Sequence, residues 1–483
     1  MSAPVIDDGR HQWSAGDVSA AAQSLADQLT AQGTRVLASW LNNSPAWVVI
    51  DLACARAKVV HVPLPLFFTT AQVSHALAAA GVDTLVTTPA LTTGWRDHPS
   101  QARDIAGETL SLIRLPFQAV PMPAGTSKIT FTSGTTGTPK GVCLGAESMR
   151  TVADALVRAL EPLDIRRHLN ALPFAVLLEN IAGLMAPLAR GATCVVLPLQ
   201  EIGLKGSSSF DPAAFQEAVQ RHTPHSIILL PQMLRAWVGH LMQSGVRAPD
   251  SLRMVAVGGA AVGPKVLTAA RALGIPAYEG YGLSEGASVQ TLNLPDAQRV
   301  GSAGRALPHA RLRVAADGEI EVAGSLFSGY LGDPAPAPPW WPTGDLGWID
   351  AEGFLHVQGR KKLLLITSFG RNVSPEWVET TLRDEAAIMQ AVVFGDGEPA
   401  LSAVLWPVQP GASDHVLQAA VDAANGALPD YAHIGHWTRG RAPFDAESGM
   451  ATPNGRPQRA AILARHADAL GISASNRIST DLP

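Results

Sequence analysis

Charged side chains are scarce in this sequence of 483 residues: Asp, Glu, Lys and Arg together make up 16%, against roughly 25% in average soluble proteins. The 36 Lys and Arg residues nearly balance the 41 Asp and Glu residues, and no long block of like charge occurs. A chain without a basic patch lacks the electrostatic footprint that a nucleic-acid backbone requires. We therefore expect no nucleic acid among its partners.

Cysteine and long apolar runs are also lacking. Cys54, Cys143 and Cys194 are too few and too far apart for a disulfide framework or a CxxC metal site, and are typical of core residues in a reducing compartment. The first ten residues include Asp7 and Asp8 and do not resemble a secretory signal. No run reaches the roughly 18 uninterrupted apolar residues of a membrane span. We expect a cytoplasmic protein without an integral membrane segment.

Apolar residues are abundant, at 47% of the chain, which excludes disorder over most of its length. Strand-like and helix-like periods alternate in two blocks, and this pattern favours largely parallel sheets covered by helices. The predicted strands of these blocks are 36–41, 59–64, 84–87, 193–197, 226–230 and 254–257. From about Leu292 onward, short strands separated by Gly and Pro predict a β-rich portion. The expected fold class is α/β, with two α/β sheet subdomains and a β-rich subdomain.

A loop dense in glycine and hydroxyl residues follows a short β-branched strand. Residues 129–142 read ITFTSGTTGTPKGV and include Lys140. Glycine lets backbone N–H groups approach phosphate oxygens, hydroxyls add donors, and the ammonium neutralises charge. The order differs from a Walker A loop, because Gly141 stands where the magnesium-binding hydroxyl would be. A flexible linker would lack the preceding strand, so the pattern predicts a polyphosphate-binding loop.

Together with this loop, five further segments resemble the adenylate-forming superfamily, which includes acyl-CoA synthetases, peptide-synthetase adenylation domains and luciferases. They occur in the order of that family. The segments are 281–285 (YGLSE), 341–345 (WPTGD), 359–362 (GRKK), 370–375 (GRNVSP) and 453–459 (PNGRPQR). Ser284 replaces the threonine that is usual in the first of them. The resemblance covers residues from about 129 to 459.

The resemblance implies ATP and Mg²⁺ as partners of these segments. The residues that would hold the β- and γ-phosphates are Thr132, Ser133, Gly134, Thr135, Thr136, Thr138 and Lys140. Glu285 would bind Mg²⁺, and Ser284 would reach the α-phosphate. Tyr281 would stack on adenine. Asp345 would accept the ribose hydroxyls with support from Arg360.

The resemblance also places the acid substrate between two segments, 172–180 and 257–260. The residues expected to line its pocket are Phe174, Val176, Gly258, Gly259 and Ala260. This lining is apolar and the two glycines leave room, which favours a fatty or other hydrophobic carboxylic acid. Amino-acid-activating relatives carry an aspartate here to pair with the substrate ammonium, whereas the only acid in this segment is Glu179.

By the same resemblance, the acyl group passes from the adenylate to a thiol, most simply that of coenzyme A. An acyl carrier protein is the alternative acceptor, since its phosphopantetheine offers the same thiol. Residues 1–361 would form the AMP-binding domain and residues 362–483 a small mobile α+β C-terminal domain. Lys362 would be the hinge between them. Gly370 would line the path of the thiol arm.

Two alternatives remain open at this point. Residues 282–286 also satisfy G-x-S-x-G, the nucleophile elbow of serine hydrolases, with Ser284 as nucleophile. That interpretation leaves the phosphate loop unexplained. The second alternative arises at Arg456, where the family normally has a catalytic lysine. Arginine keeps the positive charge of lysine but is larger. Three possibilities follow: Arg456 takes the role of the lysine, Lys361 or Lys362 contributes the charge, or the protein binds ATP with weak or lost catalysis.

Replacing Arg456 by alanine tests its assignment as a catalytic residue. We expect Arg456→Ala to reduce acid-dependent pyrophosphate release by at least about tenfold, since a positive charge that stabilises the transition state is lost. ATP binding, measured by calorimetry, should change little. Unchanged turnover would remove Arg456 from the mechanism.

Overall fold

A computed structural model of the chain describes residues 4–118, 120–132, 140–206, 209–333, 335–452 and 455–471. Its α-helices are α1 Ala15–Ala31, α2 Pro45–Ala57, α3 Thr70–Ala79, α4 Ala146–Ala159, α5 Ala186–Arg190, α6 Pro212–His222, α7 Pro231–Ser244, α8 Pro264–Ala272, α9 Pro375–Arg383, α10 Asp414–Asn425 and α11 Arg459–Leu470. A π-helical segment, Glu179–Met185, directly precedes α5.

The strands of the described residues belong to two large sheets and several small ones. In chain order they are β1 Ile6–Asp7, β2 Gln12–Trp13, β3 Val36–Trp40, β4 Val60–Leu64, β5 Thr84–Thr87, β6 Ser100–Ile105, β7 Glu108–Arg114, β8 Thr126–Thr132, β9 Lys140–Gly145, β10 Arg167–Leu169, β11 Thr193–Val195, β12 Leu204–Lys205, β13 Ser209–Phe210, β14 Ser226–Leu229, β15 Met254–Val257, β16 Ala277–Leu283, β17 Ser288–Leu292, β18 Arg305–Ala306, β19 Ala310–Val314, β20 Glu319–Gly324, β21 Gly329–Tyr330, β22 Trp341–Ile349, β23 Leu355–Arg360, β24 Leu365–Ile366, β25 Asn372–Val373, β26 Ile388–Phe394, β27 Leu401–Pro407 and β28 Ile434–Arg439.

The first large sheet has the strand order β21-β9-β8-β4-β3-β5-β7-β6. Its centre is parallel, as the alternating pattern predicts: β3 pairs in parallel with β4 and β5, and β4 with β8. Its edges are antiparallel, because β6 and β7 form a hairpin and β8 turns back into β9. Short connections cannot cross over to a parallel neighbour. The predicted phosphate-binding loop therefore joins two antiparallel strands.

The second large sheet has the order β18-β17-β16-β15-β14-β10-β11-β1-β2. The strands from β16 through β14, β10 and β11 to β1 are parallel. The chain start thus completes a sheet formed mainly by residues after 160. The carboxyl ends of β14, β15 and β16 meet at one edge, which is where α/β sheets bind ligands.

Side chains directly before the first helices cap their N-termini. The Ser44 hydroxyl accepts from the Trp47 N–H, with Pro45 at the first helical position of α2. Thr69 forms a capping box with Gln72 at the start of α3. Helix α1 begins at Ala15, before the first buried apolar residue Val18, because Ser14 already provides a cap.

The remaining described strands form smaller units, which agree with the expected fold class. The antiparallel sheet β19-β20-β22-β23 is the predicted β-rich portion. The three-stranded sheet β26-β27-β28 packs with α9, α10 and α11 into a separate small C-terminal unit with its own core. The three cysteines are buried and free, as expected. Among the helices of the described residues, none has the length and apolar character needed to cross a membrane.

The C-terminal unit contacts the second sheet through the start of α8. Asp384 accepts from the backbone N–H groups of Lys265 (3.0 Å) and Val266 (3.2 Å). It therefore caps a helix that lacks a capping side chain of its own. Gly263 permits this approach, since a Cβ there would lie 2.1 Å from an Asp384 oxygen. The Lys265 ammonium also pairs with Glu385 at 2.6 Å.

A buried ionic network joins the two large sheets. The Asp51 carboxylate on α2 lies 2.8 Å from the Lys128 ammonium on β8 and 2.6 Å from His61 on β4. Lys128 also donates to the Asn180 side chain in the π-helical segment, and His61 is hydrogen-bonded to Ser39 at 2.8 Å. Burial opposes ionisation, yet Lys128 and His61 hold the pKa of Asp51 well below its usual range. The Asp51 carboxylate is therefore charged, and it is paired with the Lys128 ammonium.

Removing the cation of this network should strongly destabilise the protein. We expect Lys128→Met to lower the free energy of unfolding by about 3 to 5 kcal/mol at neutral pH, because Asp51 is left charged and buried. Urea denaturation measures the change. Arg221→Met, which breaks the exposed Arg221–Glu217 pair, is the control and should cost less than about 1 kcal/mol. Equal effects of the two substitutions would contradict a buried ionic role for Lys128.

Candidate active site

Three of the predicted nucleotide-binding residues meet around one carboxylate. Tyr281 on β16 donates its hydroxyl to Asp345 on β22 at 2.7 Å, and the Arg360 guanidinium at the end of β23 contacts the other Asp345 oxygen at 2.8 Å. Asp345 and Arg360 are direct partners in the antiparallel register of β22 and β23. Burial raises the pKa of Asp345, while Arg360 and Tyr281 oppose that shift. Each carboxylate oxygen still has a lone-pair site to accept a sugar hydroxyl.

Lys140 and Glu285 approach each other through a tyrosine that sequence reasoning missed. Tyr330 donates its hydroxyl to Glu285 at 2.7 Å, and the Lys140 ammonium lies 5.8 Å from the centre of the Tyr330 ring. Burial and the Glu285 carboxylate raise the pKa of Tyr330, so it remains a neutral donor. Tyr330 reaches this position because β21 pairs with β9. That pairing joins segments almost 190 residues apart and leaves no local signal.

The predicted phosphate-binding loop lies largely outside the described residues, which exclude Ser133, Gly134, Thr135, Thr136 and Thr138. Its two ends are described. Thr132 and Lys140 face each other in the register of β8 and β9. The sequence expectation of a strand leading into the loop is therefore confirmed, and the roles of the loop residues remain predictions.

Ser284 and Glu285 lie in a tight turn directly after β16. This turn is followed by two consecutive non-glycine residues with positive φ, Ala287 at 53° and Ser288 at 97°. Such conformations cost free energy and occur preferentially at functional sites. Among the described contacts, Ser284 has no hydrogen bond to a histidine. His356, a histidine later in the chain, is paired with Asp350 instead. The geometry therefore gives no support to a serine nucleophile here.

Arg456 lies in the same charged environment as these residues. It sits in a turn in which its backbone N–H donates to the Thr452 hydroxyl at 3.1 Å. Burial and the neighbouring Arg360 lower the pKa of Arg456, while Glu376, Asp345 and Glu285 oppose that shift. The role of Arg456 as a catalytic residue remains a prediction.

The two lysines at the proposed hinge, Lys361 and Lys362, differ in their contacts. The Lys361 ammonium is held by Asp317 (2.6 Å) and Glu319 (2.8 Å) of the β-rich unit, so its charge is already paired. This contact weakens the alternative that Lys361 replaces the usual catalytic lysine. Lys362 is exposed in the turn between β23 and β24, and Gly370 is an exposed turn residue with φ of 69°. Their roles as hinge and thiol path remain predictions.

An apolar cavity lies beneath the predicted acid-binding segment. It is lined by Leu178, Ala182, Ile228 and Ala256, among others. A Cβ placed on Gly258, directly after β15, would lie 3.6 Å from the side chain of Leu178, which is one of the lining residues. Val176 is half-buried, and Gly259 and Ala260 are exposed in the loop after β15.

Phe174 requires a correction. The sequence places it in the lining of the acid pocket, but its side chain packs on Trp47 with ring centres 5.0 Å apart and is 1% exposed. It belongs to the core around α1 and α2 rather than to the residues around the cavity. Leu178 and Ala182, further along the chain, line the cavity instead. Phe174 is held in the core by Trp47 and by a hydrogen bond from its backbone N–H to the Asn43 side chain at 2.8 Å, and these contacts between distant segments have no local sequence signal.

Family models match most of the chain. A model described as AMP-binding enzyme matches residues 1–331, and one described as AMP-binding enzyme C-terminal domain matches residues 363–472. The chain belongs to the AMP-binding enzyme family.

Curated relatives of this AMP-binding enzyme are CoA ligases. The long-chain-fatty-acid–CoA ligase FadD15 of Mycobacterium bovis is 31% identical over 324 residues, which is 57% of this chain and 53% of that relative. The match thus spans about half the length of FadD15. The indoleacetate–CoA ligase of Aromatoleum aromaticum is 30% identical over 446 residues, 82% of this chain and 84% of that relative.

Solved structures share the fold of this AMP-binding enzyme. Two structures of o-succinylbenzoate CoA synthetase (MenE) from Bacillus subtilis each have a TM-score of 0.75 and 25% identity and cover 95% of this chain. The aligned regions cover 94% and 95% of the two MenE chains, respectively. One contains the acyl-adenylate intermediate OSB-AMP, and the other contains ATP and a magnesium ion.

Glu279, two residues before Tyr281 on β16, holds the loop of the acid-binding segment. Its carboxylate accepts from the Val262 N–H at 3.0 Å, and its second oxygen is buried without a partner among the described residues. Burial raises the pKa of Glu279 to about 7, although backbone donors oppose the shift. The carboxyl group is therefore half-protonated near neutral pH.

The raised pKa of Glu279 predicts a pH dependence of stability. Because it exceeds the value of about 4.3 for an unfolded glutamate, its contribution is complete at low pH and is lost as pH rises from about 4 to above 7. We expect Glu279→Gln to remove up to about 3 kcal/mol of this decline in the free energy of unfolding. Denaturation at a series of pH values measures it. Glu217→Gln, at an exposed position, is the control; a slope that Glu279→Gln leaves intact would exclude the assignment.

Proposed function

We propose that this enzyme activates a hydrophobic carboxylic acid with ATP and transfers the acyl group to the thiol of coenzyme A. The observation that carries the proposal is the arrangement of Tyr281 and Arg360 around the Asp345 carboxylate, with the Glu285 carboxylate oriented by Tyr330. A site of this kind can hold a nucleotide and its magnesium ion. The CoA ligases among the relatives support the same reaction.

The residues present fit ATP and Mg²⁺. Asp345 keeps acceptor capacity for the ribose hydroxyls while Tyr281 and Arg360 hold it in position. Glu285 is a carboxylate oriented by Tyr330, and carboxylate oxygens are preferred magnesium ligands. Magnesium would supply charge neutralisation for the phosphates. Lys140 has no carboxylate partner among the described residues, so its ammonium is available for an anion.

The first step joins the acid to the nucleotide. A carboxylate oxygen of the acid attacks the α-phosphorus, the bond to the β-phosphate oxygen breaks, and pyrophosphate leaves. Two anions must approach each other, so positive charge at their junction lowers the barrier. We assign this role to Arg456, whose planar guanidinium can donate to both partners. Ser284 would donate to the α-phosphate.

The second step forms the thioester. The sulfur of coenzyme A attacks the acyl carbon and AMP leaves with the bonding electrons. We propose residues 1–361 as the domain that binds ATP and acid, and residues 362–483 as the C-terminal domain that turns about Lys362 between the steps. The exposed turn at Gly370 would line the thiol arm. Family matches that end at 331 and begin again at 363 are consistent with this boundary.

We propose a fatty acid as the substrate on the basis of the cavity. Its lining is largely apolar, which suits an uncharged tail. The relatives act on both aliphatic and aromatic acids, as the names FadD15 ligase and indoleacetate–CoA ligase state. Glu179 is fully buried and bonded to Asn170 at 2.8 Å. It is therefore not available to pair with a substrate ammonium, which argues against an amino acid as the substrate.

Trapping with hydroxylamine tests this function. With ATP, Mg²⁺ and a panel of fatty, aromatic and amino acids, we expect hydroxamates from hydrophobic acids and none from amino acids. Asp345→Ala should lower the rate by at least about tenfold, because the ribose loses its acceptor.

Glu217→Ala, at an exposed surface position, is the control and should leave the rate unchanged. ATP binding without activation of any acid would favour a protein that has lost catalysis. Ester cleavage without ATP that disappears in Ser284→Ala would overturn the assignment as a ligase.

A further inference from the structure

Helix α9 of the C-terminal unit is held at both of its ends by residues 1–361. Directly after the helix, Asp384 accepts from two backbone N–H groups at the start of α8. In its first turn, Glu376 accepts from the Arg360 N–H at 2.7 Å. Arg360 is itself a partner of Asp345. Helix α9 therefore connects the start of α8 with the proposed ribose site.

The middle of α9 is tied to the turn that contains Arg456. The Glu379 carboxylate, on a residue that is 4% exposed, pairs with the Arg459 guanidinium at 2.6 Å. Arg459 also donates to the backbone oxygen of Val393 at 2.9 Å. It is the first residue of α11, three positions after Arg456. Because a buried ion pair is stable only in one geometry, the turn of Arg456 has to move together with α9.

A glycine makes room for the contact between Asp384 and α8. A Cβ on Gly263 would lie 2.1 Å from an Asp384 oxygen and 2.7 Å from Asp384 Cβ, well inside the optimal separation of about 3.5 Å or more for such atoms. The φ of Gly263 is −71° and its ψ is 145°, a conformation that every residue type adopts. The backbone of this position thus has no need of glycine, and only the approach of Asp384 requires it.

The other contacts in this region are polar as well. Lys265 pairs with Glu385 at 2.6 Å, and the Arg235 guanidinium on α7 donates to the backbone oxygen of Ile388 at 3.0 Å. Among the described residues, both hydrophobic cores of the C-terminal unit contain only residues 365–470. Domains joined by polar contacts move relative to each other more readily than domains that share an apolar core. The contacts around Asp384 can therefore break and form again while both cores stay intact.

We propose that Asp384 is a positioning residue for the first step: by capping α8 it holds α9, and through Arg459 the turn of Arg456, in the arrangement that this step requires. The inference rests on the proposed function, in which the C-terminal domain turns before the second step. A helix cap changes an equilibrium by about fivefold. Such a contact is strong enough to favour one arrangement and weak enough to be released in every turnover.

Replacing Gly263 by alanine tests the docking contact without the need for a substrate. Dyes on Met242→Cys (65% exposed, on α7) and Val416→Cys (44% exposed, on α10) report the distance between the two parts by single-molecule energy transfer. The three native cysteines are buried and should not react. We expect Gly263→Ala to lower the ratio of the main population to all others by at least about tenfold, because the new Cβ blocks Asp384.

Gly145→Ala is the matched control. Gly145 precedes α4 as Gly263 precedes α8, with φ of −84° and ψ of 148°, and also lacks a capping side chain. A Cβ there would have no neighbour closer than 3.6 Å. Both substitutions carry the same intrinsic cost of alanine at a helix start. Gly145→Ala should leave the populations unchanged.

A double substitution separates a clash with Asp384 from a local effect on α8. Asp384→Gly removes the cap and the atoms that the new Cβ would meet, and should lower the population ratio by about fivefold. In that background Gly263→Ala should add little, because residues that act through one contact have non-additive effects. A local distortion of α8 would add its full effect.

The two half-reactions test the role in the first step. With the acid that gives the most hydroxamate, we expect Gly263→Ala to reduce kcat for pyrophosphate release by at least about tenfold. Formation of the thioester from the matching synthetic acyl adenylate and coenzyme A should be unchanged or faster, since the C-terminal domain is released. General damage to the fold would slow both half-reactions alike.

The outcomes separate this inference from the proposed function. Unchanged populations in Gly263→Ala, an effect that persists in full in the Asp384→Gly background, or equal losses in the two half-reactions would overturn the role of Asp384 while the proposed function stands. Activation of no acid by the unmodified enzyme would overturn the proposed function and the role in its first step. The energy-transfer result would then still decide whether Asp384 docks the C-terminal unit.

Discussion

The contact between Lys128 and Asp51 connects the parts of the molecule that must act together. Lys128 lies on β8, four residues before Thr132, where the predicted phosphate-binding loop begins. Asp51 belongs to α2, and the second partner of Lys128, Asn180, belongs to the π-helical segment that follows Leu178 at the acid cavity. A buried ion pair is stable only in one geometry. Strand β8, which leads into the predicted phosphate-binding loop, is therefore held in a fixed position relative to the π-helical segment beside the apolar cavity.

The C-terminal unit is tied to the same edge of the second sheet by different contacts. Asp384 caps α8 directly after the loop that contains Gly258, and Glu376 accepts from the Arg360 backbone N–H at 2.7 Å. The Glu279 carboxylate accepts a hydrogen bond from the backbone N–H of Val262, later in the same loop. The C-terminal unit thus contacts both α8, after the Gly258 loop, and Arg360, a partner of Asp345.

Local features of the fold were predictable because their causes are local. Ser44 and Thr69 cap α2 and α3 through side chains only three residues from the groups that they bind, and the alternation of strands and helices predicts the parallel centres of both large sheets. Tyr330 and the lining role of Leu178 were not predictable. Tyr330 reaches Glu285 through a strand pairing of long sequence separation. Phe174 was assigned to the acid pocket, but its contacts with Trp47 and Asn43 join segments more than 120 residues apart.

The sequence by itself determined the family, the fold class and the order of the motif residues, since glycines, hydroxyls and charges at set spacing define a phosphate-binding and adenylate-forming pattern. Tertiary structure alone decided which side chains share a partner: that Tyr281 and Arg360 both hold Asp345, that Lys361 pairs with Asp317 and Glu319, and that Tyr330 donates to Glu285. The physical reason is that hydrogen bonds act over about 3 Å, and only the packing of distant strands brings these side chains within that range.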